Sequence, residues 1–119
     1  MTEQSAAWFA WHARGRLAHP RLRVCFALLA GGAPLHGERL RTRGGEAATR
    51  VDTLAFVETS SYGRRMVDAT VRFLGVDQLV YGSDRPVVAP EPDVLDGALA
   101  DLARTGNAAR LLGNVAVPA

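Results

Sequence analysis

The chain has 119 residues and a formal net charge of +2, with 48% of its residues hydrophobic and 22% charged. That length suits one domain with its own core and excludes a closed (β/α)8 barrel, which takes about 250 residues. The composition excludes a disordered or fibrous chain. All fourteen basic residues are arginines and acids are interleaved among them, so the pI near 9.3 reflects a mixed solvated surface and not a nucleic-acid-binding face.

No apolar run reaches the roughly 20 residues of a membrane span. Met1 to Ser5 carries acid and no basic leader, so no signal peptide is expected. The single cysteine, Cys25, has no internal partner, and the expected compartment is the cytoplasm.

In chain order, Ala6 to Leu17 reads as a helix with Trp8, Trp11 and Gly15 on one face, Ser5 as its N-cap, and His19-Pro20 as its stop. Leu22 to Leu29 is an unbroken apolar run, the pattern of a strand covered on both faces in a parallel sheet. Cys25 within it is expected to be a small buried hydrophobe. The turn signal Gly31-Gly32-Ala33-Pro34 follows, then a short helix over Leu35 to Arg41 and a loop over Thr42 to Arg50.

Leu54 to Glu58 is the second strand, after which Thr59, Ser60 or Ser61 is expected to cap a helix over Tyr62 to Leu74 closed by Gly75. Leu79 to Tyr81 is the third strand and leads to Asp84. A Pro-rich loop over Val87 to Pro92 gives way to a helix capped by Asp93 and running to Arg104. Gly106-Asn107 opens a last helix over Ala108 to Leu112, closed by Gly113.

Strand, helix and strand alternate at the spacing of βαβ units, so the fold class is α/β with a three-stranded parallel sheet. Three parallel strands leave two exposed edges that invite pairing with a second copy or a partner chain. The run Leu79-Val80-Tyr81-Gly82-Ser83-Asp84-Arg85-Pro86 would deliver the Asp84 carboxylate to the carboxyl edge of that sheet, where α/β folds place their chemistry. Asp84 could also simply cap its loop.

Four stretches carry a resemblance. They are Val24-Cys25-Phe26-Ala27 with Gly31-Gly32-Ala33-Pro34; Glu58-Thr59-Ser60-Ser61-Tyr62-Gly63; Leu74 to Pro86 with its Gly82-Ser83-Asp84; and Asn107-Ala108-Ala109-Arg110-Leu111-Leu112-Gly113. In this order and spacing they resemble the C-terminal part of the amidohydrolase-related barrels, the group that includes aminocarboxymuconate-semialdehyde decarboxylase. The resemblance implies a partial (β/α)8 barrel, about strands six to eight with flanking helices, and 1–119 as a single domain.

It also implies a divalent metal, zinc by preference, serving hydrolysis or decarboxylation of a small carboxylated or aromatic substrate. Asp84 matches the strand-eight aspartate that approaches the metal and handles protons. Departures are equally plain. The family's His-x-His and strand-five histidine have no counterpart in this chain, and its strand-six histidine falls on Leu28.

Of the remaining polar residues, Arg85 could pair with a substrate carboxylate. Ser60 could contact ligand, and His36 could stand in for the missing histidine; the alternatives are a loop ion pair, a helix cap and an exposed helix residue. His12 and His19 have no metal-ligand spacing. Two functions are therefore expected from the sequence: an enzyme portion incomplete for catalysis alone, or a non-catalytic half-barrel that associates with itself or a partner. A weaker third is a small-ligand binder at the same strand ends.

Overall fold

A computed structural model describes residues 3–42, 51–89 and 94–113. Three parallel strands form one sheet in the order β1 (Val24–Phe26), β2 (Ala55–Glu58), β3 (Leu79–Val80). Val24 lies beside Ala55 and Phe26 beside Val57, while Val57 lies beside Leu79 and Glu58 beside Val80. This parallel, helix-flanked sheet is the α/β arrangement expected from the βαβ spacing.

The register sorts the side chains. Phe26, Val57 and Leu79 share one face, and they meet Trp8, Leu29, Val67 and Leu74 in the main core. Cys25, Phe56, Glu58 and Val80 share the other. Phe56 is buried there under the Arg110 guanidinium, 5.5 Å from its ring centroid.

The helices meet the core through spaced apolar residues. In α1 (Glu3–Ala10), Trp8 is buried and sets its ring edge-on against Phe26 at 5.1 Å. A π-helical turn over Trp11–Gly15 leads into α2 (Arg16–Ala18), which ends before His19 as the following Pro20 requires. A side chain at Gly15 would overlap the Trp11 ring.

Ser5 does not cap this helix. It lies buried inside α1, and its hydroxyl donates to the carbonyls of Ala30 and Gly31 at 3.3 Å. Tertiary demand for a donor there overrides capping. Helix α3 (Ala33–Thr42) follows, and α4 (Arg64–Leu74) buries Val67, Thr70 and Leu74 at helical spacing. The Gly75 N–H bonds to Val71 O at 2.7 Å with φ 85°, as expected for the closing glycine.

Three expectations fail locally. Strand β1 is shorter than Leu22 to Leu29, because Leu28, Leu29, Ala30, Gly31 and Gly32 all take positive φ and wind a left-handed turn. Each non-glycine there costs about 1–2 kcal/mol. Burial of Leu29 and Ala30 and the bonds to Ser5 and Glu58 offset the cost.

Second, Cys25 is exposed, not buried. β1 is an edge strand among the described residues. Third, Gly106-Asn107 does not open a new helix. α5 (Gly97–Asp101), a π-helical turn (Leu102–Gly106) and α6 (Asn107–Leu112) run without a break to a left-handed Gly113. The expected cap Asp93 and the loop over 43–50 lie outside the described residues.

That continuous helix seals the far edge of the sheet. Val57 N–H donates to Gln78 O at 2.9 Å, so Gln78 faces β2 and the next carbonyl, Leu79 O, faces outward. Asn107 Nδ2 donates to Leu79 O and to Val76 O, both at 2.7 Å, and Tyr81 N–H donates to Ala103 O at 3.3 Å. Ala103 lies within the π-helical turn and Asn107 directly follows it. No helix among the described residues is long and apolar enough to cross a membrane.

Candidate functional site

The parallel sheet points three strand ends the same way, and the loops beyond β2 and β3 meet there. Glu58 ends the central strand. Its Oε1 accepts the Leu28 N–H at 2.5 Å; its Oε2 accepts the Ser60 N–H at 3.1 Å and also the Ser60 hydroxyl. One carboxylate thus ties the left-handed turn after β1 to the loop after β2. Gly82, on β3's side, leaves the room for it: a Cβ there would overlap the Glu58 carboxylate and the Ser60 hydroxyl.

The loops after β2 and β3 are stitched together twice more. Buried Thr59 donates its hydroxyl to Gly82 O and accepts the Gly82 N–H, each at 3.2 Å. Beyond it, the Ser61 hydroxyl donates to Asp84 Oδ2. Ser61 and Asp84 both sit in the left-handed region, at φ 64° and 56°. Aspartate tolerates that conformation, whereas for serine it costs about 1 kcal/mol, which the bond to Asp84 helps to offset. A cis Arg85-Pro86 peptide follows.

The structure therefore places Asp84 at the strand-end edge, as the sequence suggested, with Ser61 as its partner. Ser60, read as a possible ligand contact, spends its hydroxyl on Glu58. Neither serine caps α4, whose N-cap position is Gly63 and carries no side-chain bond; the two hydroxyls are drawn instead to the two carboxylates. Arg85 is exposed beside Asp84, and its N–H donates to Ser83 Oγ at 3.3 Å. His36 is exposed on α3, a helix that packs on α1, on α4 and on the left-handed turn after β1.

Sequence reading missed Glu58 and Ser61 as organising residues. The available signal was Glu58 as the only acid inside an apolar strand, followed by three hydroxyl residues.

Cys25 shares the Glu58 face. Partial burial first, and then the Glu58 carboxylate, push its thiol up to about 11. That disfavours the thiolate at neutral pH.

A cleft of about 160 Å³ opens between the two loops, lined by Thr59, Ser61, Tyr62, Tyr81, Ser83 and Val94 among others. Arg104 stacks on the Tyr81 ring, 3.9 Å from its centroid, and Arg64 pairs with Asp96 at 2.6 Å close by in sequence.

The described residues alone do not form a metal centre: no three His, Cys, Asp or Glu side chains among them converge. Asp84 Oδ2 already accepts the Ser61 hydroxyl, leaving Oδ1 as one available ligand. A divalent ion would have to draw its other ligands from outside these residues.

No known family model matches the chain, and no curated protein does. Solved structures do. A 5-carboxyvanillate decarboxylase from Sphingomonas paucimobilis matches over 90% of this chain and 38% of its own, at TM-score 0.64 and 17% identity. A 2,6-dihydroxybenzoate decarboxylase, solved with 2,6-dihydroxybenzoate, matches over 92% and 39%, at 0.69 and 16%. An IDCase from Metarhizium anisopliae matches over 92% and 39%, at 0.66 and 18%.

The chain spans about two fifths of the length of each, and at such identity the likeness is one of fold. In fold, the chain resembles part of these structures, with three parallel strands and their flanking helices in the arrangement of a partial (β/α)8 barrel.

Proposed function

We infer that this chain is the C-terminal portion of a metal-dependent amidohydrolase-family hydrolase or decarboxylase, incomplete for catalysis alone. The observation that carries the reading is Asp84, presented at the carboxyl end of β3 by Ser61 on a shared strand-end edge. A carboxylate so placed serves as one ligand to a divalent ion, zinc by preference, and as a proton acceptor. The remaining ligands come from the rest of a barrel. Exposed Arg85, next in the chain, is the group suited to a substrate carboxylate.

A zinc titration followed by calorimetry tests this. The chain alone binds zinc weakly if at all. A complete barrel, made by adding the missing strands on the same or a second polypeptide, binds it stoichiometrically, and Asp84→Asn lowers that affinity at least about tenfold. Equal zinc affinity of wild type and Asp84→Asn in the completed barrel would remove Asp84 from the site.

A second reading is a non-catalytic half-barrel that associates with itself or a partner chain. It is favoured by Leu28, whose backbone serves Glu58 where the family pattern has a histidine, and by the open face of β1 at Cys25.

A further inference from the structure

The end of the sheet where the strands start presents a second surface. Leu22 precedes β1, Val51 precedes β2 and Val76 precedes β3, and all three are exposed. Leu17, in α2, is 84% exposed, and Leu112, at the end of α6, is 70% exposed. Polar contacts tie both helix ends to this rim. Arg16 pairs with Asp52, ahead of β2, at 2.8 Å, and Arg23 Nε donates to Leu111 O at 3.0 Å. Of the large apolar side chains that the described residues expose, only Val87 and Val88 lie elsewhere.

Arginines stand among them. Acids and arginines are interleaved over the chain as a whole, but no acid lies between Glu3 and Glu38. Arg14, Arg21 and Arg23 fall in that stretch and are exposed, and Arg72 adds a fourth in the last turn of α4. None of the four pairs with a carboxylate among the described residues. Of the acids on this rim, Asp52 is held by Arg16 and Trp11, and only Asp77 is exposed. The rim is therefore aliphatic and cationic at once.

The strands are parallel and side by side, so the segments that precede them lie along one edge. A common edge suits a flat partner. Single-stranded nucleic acid stacks its bases on aromatic side chains, and none of the large apolar side chains exposed among the described residues is aromatic. The same lack removes the aromatic anchors on which protein hot spots centre. An anionic lipid surface uses both features present. Its phosphates pair with guanidinium groups, and its acyl boundary takes up aliphatic side chains. This is docking and not spanning, since no helix among the described residues is long and apolar enough to cross a membrane.

We propose that the strand-start rim docks the chain on an anionic lipid surface, with Leu17, Leu22 and Leu112 at the acyl boundary and Arg14, Arg21 and Arg23 on lipid phosphates. The rim lies at the opposite end of the sheet from Asp84. The proposal is thus separable from the zinc experiment above: either can fail while the other holds.

The test sediments the purified chain with vesicles of phosphatidylglycerol and phosphatidylcholine in equal parts, and with vesicles of phosphatidylcholine alone. The mixed vesicles take up the chain. The neutral ones bind it roughly a hundredfold more weakly, since each arginine near an anionic surface contributes about fivefold. Raising salt from about 0.1 M to about 1 M shortens the screening length from about 10 Å to about 3 Å and releases the chain. Arg14→Gln and Arg21→Gln each weaken binding about fivefold. Leu17→Ser weakens it at least about fourfold, the effect of one buried CH2. Arg65→Gln, exposed in the first turn of α4 at the other end of the molecule, leaves binding unchanged, and every variant keeps the native circular dichroism spectrum. No uptake by the mixed vesicles, equal binding to the neutral ones, or a loss in Arg65→Gln as large as in Arg21→Gln would each overturn the proposal. Unchanged affinity in Leu17→Ser would overturn it too, and would mark the rim as a site for a polyanion such as nucleic acid.

Discussion

Cys25 shows how far one side chain's chemistry depends on its neighbours. It is the middle residue of β1, exposed, and yet its thiol is pushed up to about 11 by partial burial and by the Glu58 carboxylate on the same sheet face. A free thiol titrates near 8.5, so at neutral pH this one holds far less thiolate than its exposure suggests. Alkylation by iodoacetamide is therefore expected to be slow at pH 7–8 and to keep rising by about tenfold per pH unit beyond pH 9. Rates that level off near pH 8.5 would show that Glu58 and the surrounding chain exert no such hold. Composition correctly gave one unpaired cysteine, but its exposure depended on whether another strand lies beside β1.

At the scale of elements, the largest departure from the sequence pattern lies in the helix from Gly97 to Leu112. Gly106-Asn107 has the look of a break and a new start, and the chain runs straight through it. The reason is Asn107, fully buried, which donates to Val76 O and Leu79 O and accepts from Arg110 at 3.0 Å. It is a rivet between helix and strand and not a cap. Asn107→Ala leaves the buried Leu79 carbonyl and the partly buried Val76 carbonyl unpaired and is expected to cost roughly 2–4 kcal/mol in urea unfolding, a large share of a typical domain's stability. A loss below about 0.5 kcal/mol, the range of an ordinary surface change, would rule out the rivet. The left-handed turn from Leu28 was equally hidden. Leu-Leu-Ala favours regular structure, and only the Glu58 and Ser5 partners make positive φ tolerable there.

For the whole molecule, the two edges of the sheet differ. The β3 edge is closed by the chain's own helix through Leu79 O and Tyr81 N–H. The β1 edge has no strand beyond it among the described residues, and since Val24 N–H bonds to Leu54 O at 3.0 Å, the Cys25 backbone faces outward. Association is thus expected through β1 alone, giving a sedimentation coefficient that rises with concentration. Cys25→Pro removes an outward N–H without breaking the β1–β2 ladder and is expected to return the chain to monomer. Association unchanged in Cys25→Pro would locate the contact elsewhere.

The sequence by itself determined the βαβ order, the parallel sheet and Asp84 at a strand end, because apolar runs, helical spacing and glycine stops are local signals that survive any packing. It also carried the ordered motifs that resemble the amidohydrolase-related barrels, a likeness of fold the solved structures share. Only the tertiary structure decided what Asp84 and Glu58 hold. Both carboxylates take hydroxyls from the same three-residue run, and nothing in Thr59-Ser60-Ser61 says which serine turns to which acid until the strands are in register. The pleat and one positive φ, at Ser61, separate them, sending Ser60 to Glu58 within the loop and Ser61 across to Asp84 beside the cleft.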